Sequence, residues 1–135
     1  MDGSLEWIVL ERVYNGCSGC LSFYLVEPDD HAKVYCIINA HRFNGSIELI
    51  QLYSTKHDRE AERRNESTFV FYHKQLFNIL RERDIHIATA KMIPHVAKKL
   101  KKELDKYKSA KKIELLGSYF DEQAGMNLEQ VKITL

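Results

Sequence analysis

The chain has 135 residues, a net charge of +1, and 44 % hydrophobic against 29 % charged residues. These proportions are those of a globular protein and exclude a collagen-like chain, a fully disordered chain and a dense disulfide scaffold. The length matches one domain, so a single α+β domain over 1–135 is expected, with enough material to bury its core without help from a metal.

Residues 5–14 (LEWIVLERVY) are aliphatic, aromatic and β-branched and read as a strand. Asn15-Gly16-Cys17-Ser18-Gly19 supplies positive φ cheaply and reads as a hairpin tip. Residues 20–27 form the second strand, Pro28-Asp29-Asp30 a turn, and residues 33–41 the third strand. Asn44-Gly45 signals a type I′ hairpin turn before a fourth strand at 47–54. Tight turns join antiparallel neighbours, so the first half is expected to be a four-stranded antiparallel meander.

Residues 54–67 (STKHDREAERRNES) carry eight charges and one apolar residue, Ala61, and read as a solvated loop. The run 68–72 suits either a strand or a helix, and the spacing favours a helix over 73–83. Residues 85–87 read as a short extended segment, and Pro94 opens a second helix over 94–109. On that helix Ile93, Val96, Leu100, Leu104 and Tyr107 form one apolar stripe. Two short closing strands are expected at 112–119 and 128–134. The expected fold is therefore α+β: the N-terminal meander, then two helices, then two short C-terminal strands.

The first four strands do not alternate cleanly between apolar and polar residues, so both sheet faces want cover. Two helices can cover one face. The other needs the late strands folded back as a second layer, or another chain. Trp7, Ile8, Leu10, Tyr24, Ile37 and Ile50 are the candidate partner-binding residues on such a face, for a protein partner or a second copy as a homodimer.

Residues 91–112 hold nine lysines and two acids, which leaves the rest of the chain net acidic. Lys98, Lys99, Lys101, Lys102, Lys106 and Lys108 are candidate anion-binding residues, able to neutralise phosphates. The absence of arginine from 84–135 and the burial expected of Tyr107 argue against base reading and base stacking.

Cys17, Cys20, Cys36 and His41 have the residue types of a zinc site. Strand pairing puts Cys20 opposite Ala40 or nearby and His41 beside the Cys17–Cys20 tip, but leaves Cys36 about 13 Å from that tip, too far for a shared ion. No metal is expected, with Cys17, Cys20 and His41 the candidates if one is held. The Gly-rich phosphate loop, G-x-S-x-G, H-E-x-x-H and EF-hand patterns are all missing. His57-Asp58 and Asp29-Asp30-His31 place acids beside histidines, but in charged turns open to water.

No catalytic residue and no cofactor are therefore expected. The sequence reads as a non-enzymatic protein–protein interaction or assembly module within a larger complex, with nucleic-acid binding through 91–112 as the alternative. An odd cysteine count, no signal-peptide pattern and no apolar run near the roughly 20 residues of a membrane helix point to an intracellular location, cytoplasmic or nuclear, and no membrane partner.

Overall fold

The computed structural model describes residues 5–14, 17–55 and 67–135. Strands β1 (Glu6–Tyr14), β2 (Cys17–Glu27), β3 (Asp30–Phe43) and β4 (Ser46–Ser54) come first. Helix α1 (Thr68–Glu82), strand β5 (Ile87–Met92), helix α2 (Pro94–Asp105), and strands β6 (Lys112–Asp121) and β7 (Met126–Thr134) follow. All seven described strands lie in one sheet, in the order β1-β2-β3-β4-β5-β7-β6. No described helix is long and apolar enough to cross a membrane.

The expected architecture is corrected by this sheet. The segment read as a brief extension near 85–87 is a full strand, β5, and it pairs parallel with β4. A parallel pair needs a crossover connection, which α1 provides. The two closing strands are ten and nine residues long and do not fold back as a second layer. Instead β7 pairs antiparallel with β5, and β6 pairs with β7, so the sheet grows sideways into one mixed layer. The Asn44-Gly45 turn also departs from type I′: Asn44 takes a φ of 55°, but Gly45 does not adopt positive φ.

Local chemistry fixes the helices. Ser67 Oγ accepts a hydrogen bond from the Val70 amide at 3.2 Å, which caps α1 and resolves 68–72 as helix. Phe69, Val70, Leu76, Phe77 and Leu80 are buried along one side of α1. The Trp7 indole on β1 donates to the Tyr72 carbonyl at 3.0 Å, and the Trp7 amide donates to Gln75 Oε1 at 2.9 Å. Helix α2 starts with Pro94, whose missing amide hydrogen costs nothing in a first turn. It ends at Asp105 rather than 109, and Lys108 beyond it has a φ of 52°.

Both helices cover the same face. Trp7, Phe23, Ile38, Ile47, Ala88, Val131 and Ile133 share one buried cluster with Phe69, Leu76, Phe77, Ala97 and Leu104 of the helices. No described helix lies on the opposite face of the sheet. There Leu10 and Tyr53 stay 46 % and 48 % exposed, and Ile8, Tyr24 and Ile37 are half-buried.

Candidate active site

Strands β4 and β5 pair from Ser46 with Ile87 to Leu49 with Ala90, and there the ladder stops. Both strands continue, β4 to Ser54 and β5 to Met92. Where the ladder ends, β4 carries a bulge: Ala40 of β3 pairs with Leu49, but Asn39 pairs with Gln51, leaving Ile50 as the extra residue. A bulge bends its strand and increases local twist. Beyond Leu49, the edge of β4 that faces β5 has no strand partner.

A cavity of about 250 Å³ fills this split. Leu49 and Leu52 come from β4, Ala90 and Met92 from β5, Ser67 and Phe69 from the start of α1, and Val96 and Leu100 from α2. Val131 and Ile133 of β7 also line it. Ala90 puts a small side chain at the cavity, and Ile50, Leu52 and Val96 there are 50 %, 42 % and 45 % exposed. The cavity opens at the C-terminal ends of two parallel strands, the usual ligand position in sheets with such crossovers. It also meets the first turn of α1, where the helix dipole favours negative charge.

The open face beneath the split is polar. Cys20, His41, Glu48 and Thr89 stand in one row across β2, β3, β4 and β5, each in register with the next. Cys20 Sγ lies 3.4 Å from His41 Nδ1. In the neighbouring row, the Ser22 hydroxyl donates to Asn39 Oδ1 at 2.8 Å, and the Asn39 amide donates to Gln51 Oε1 at 2.9 Å. Glu48 and Gln51 thus approach the end of the β4–β5 ladder from the face opposite the helices.

The structure disperses the residues proposed from sequence. Ile8, Leu10, Tyr24 and Ile37 lie on the open face, whereas Trp7 is buried under α1 and Ile50 is the bulge residue at the cavity. Lys98, Lys99, Lys102, Lys106 and Lys108 are exposed on α2 and the turn after it, and Lys101 Nζ pairs with Asp105 at 2.7 Å. Val96 and Ile93, expected on the buried stripe, are exposed, and Val96 borders the cavity.

Cys36 is buried on the helix-covered face opposite Leu25, so it is apart from Cys20 and His41. The Cys17 side chain lies outside the described residues, as do His57 and Asp58. Among the described residues, no three histidine, cysteine or acidic side chains gather to hold a metal. His31 pairs with Glu6 at 3.1 Å on the surface. The split itself was missed from sequence, because its signal is a parallel pairing between segments about forty residues apart.

No protein-family model matches the chain, and no curated protein matches it in sequence. Solved structures do match. A Bacillus subtilis acetyltransferase in complex with CoA has a TM-score of 0.56 at 5 % identity, over 98 % of this chain and 99 % of that one. The Escherichia coli ribosomal-protein-S18-alanine N-acetyltransferase has a TM-score of 0.56 at 9 % identity, over 96 % and 92 % of the two chains. A chimera of Vibrio cholerae spermidine N-acetyltransferase has a TM-score of 0.57 at 9 % identity, over 86 % and 68 %. These neighbours are acetyltransferases, which contradicts the expectation of a non-enzymatic interaction module. At such identities the likeness speaks for the fold, and the fold is that of a GNAT-like acetyltransferase.

Proposed function

We propose that the chain is an acyl-CoA-dependent N-acyltransferase. The observation that carries this reading is the split between β4 and β5, with its apolar cavity, unpaired strand edge and adjoining helix start. These features fit the three parts of an acyl-CoA. The pantetheine arm has amide groups that can pair with the free edge of β4, as an added strand would. The pyrophosphate suits the first turn of α1. The acyl chain and thioester suit the apolar cavity at the end of the ladder.

In this reading acyl-CoA supplies an activated carbonyl, and the chain orients it. The bulge leaves Ile50 outside the β3–β4 register at the split, where a backbone amide of β4 can stabilise the oxyanion of the tetrahedral intermediate. The acceptor amine approaches from the open face. Its nitrogen bonds to the thioester carbon, the carbon–sulfur bond breaks, and the CoA thiolate leaves. Glu48 is the carboxylate in register beside the last ladder pair and takes the proton that the amine loses. The cover given by Phe69 and Met92 keeps water from the thioester. An intracellular location accords with this reading, because acyl-CoA thioesters are made inside cells.

The test is transfer of a labelled acetyl group from acetyl-CoA to a panel of primary amines: a polyamine, free amino acids and peptides with a free N-terminus. Amide formation dependent on the folded chain is the expected result. Failure to bind acetyl-CoA at millimolar concentration contradicts the reading.

A further inference from the structure

The row of side chains on the open face includes a pair that acyl transfer does not use. Cys20 Sγ lies 3.4 Å from His41 Nδ1, within hydrogen-bonding distance for sulfur, and both residues are half-buried. On the other side of His41, Glu48 stands in register. The three residue types and their order, thiol, imidazole and carboxylate, place a proton acceptor beside a nucleophile on three neighbouring strands of a rigid sheet. Cys36 provides the contrast: it is fully buried among apolar side chains on the helix-covered face, where a thiol is inert packing.

We propose that Cys20 is an activated nucleophilic thiol, with His41 as its base and a soft electrophile, such as a peroxide, as its reactant. The inference does not rest on the acyltransferase reading. The Cys20 proton passes to His41 Nδ1, leaving a thiolate beside an imidazolium. With hydrogen peroxide the thiolate sulfur bonds to one oxygen and the oxygen–oxygen bond breaks. The departing hydroxide takes the imidazolium proton as water, and Cys20 is left as a sulfenic acid, oxidised by two electrons that reduce the peroxide. With an alkyl iodide the same sulfur displaces iodide. The open face gives such small reactants access, since no described helix covers it.

Iodoacetamide is the probe, and fragment-ion mass spectrometry separates Cys20 from Cys17 and Cys36. In the folded chain at neutral pH, Cys20 is expected to alkylate about tenfold faster than the same cysteine in the urea-unfolded chain, although folding half-buries it. His41→Asn is expected to bring the folded rate to or below the unfolded one. A folded rate at or below the unfolded rate overturns the proposal, and so does a folded His41→Asn variant that alkylates as fast as the parent. A disulfide between Cys17 and Cys20 that blocks labelling overturns it as well. If His41→Asn fails to fold by circular dichroism, the comparison of folded with unfolded parent chain decides alone.

Discussion

Glu48 carries most of the chemical weight at the residue scale. It follows the buried Ile47 and precedes Leu49, so strand alternation turns it to the open face one residue before the ladder ends. Glu48→Gln keeps the shape and removes the proton acceptor. Acyl transfer is expected to fall about 100-fold in kcat, with acetyl-CoA binding unchanged, read by steady-state release of CoA and by calorimetry. A second residue-scale prediction concerns Gly19. Its φ is +101°, and a Cβ there would sit 2.8 Å from the Arg42 carbonyl oxygen on β3. Gly19→Ala is expected to cost more than about 1 kcal/mol in chemical denaturation, because strain and close contact act together. The sequence reads Gly19 as part of the hairpin tip, whereas it lies inside β2, where the positive φ and the close approach to β3 call for glycine. The role of Glu48 was not legible, because a glutamate in a strand carries no mark of what its neighbours do.

Among the elements, the start of α1 joins stability to binding. Ser67 caps the helix and also borders the cavity. Ser67→Ala is expected to destabilise the chain by about 1 kcal/mol, measured by urea denaturation. The antiparallel pairing of β2, β3 and β4 was legible because tight turns announce themselves locally through Pro28-Asp29 and Asn44-Gly45. The α1 boundary was harder, since Phe69-Val70-Phe71-Tyr72 suits two structures and its cap lies in a charged segment. Strand β5 was almost invisible. Its residues, IATAKM, include two alanines, which have little strand preference, and the small size that hides them is what lets the cavity form above Ala90.

For the whole molecule, the decisive feature is topology. A sheet that holds one parallel pair among antiparallel ones needs the α1 crossover, and the crossover puts α1 and α2 on one face. The apolar excess on both strand faces was readable, and the structure leaves Leu10 and Tyr53 exposed on the open one. What could not be read was that the late strands would lengthen the sheet rather than cover it. Long-range pairing of Ala88 with Ile133 and Ala90 with Val131 decides that, and local periodicity does not encode it.

The binding of acetyl-CoA in the β4–β5 split is the central claim, and thermal unfolding with and without acetyl-CoA tests it most directly. At 100 times its Kd, a ligand of the folded chain contributes about 2.7 kcal/mol, a Tm shift of several degrees for a domain of this size. Val96 is 45 % exposed on α2 and lines the cavity, so Val96→Trp fills the split from the rim with little strain on the core. The account predicts a clear shift for the parent chain, and for Val96→Trp no shift from a nearly unchanged starting Tm. An absent shift in the parent, or an equal shift in the variant, would contradict it.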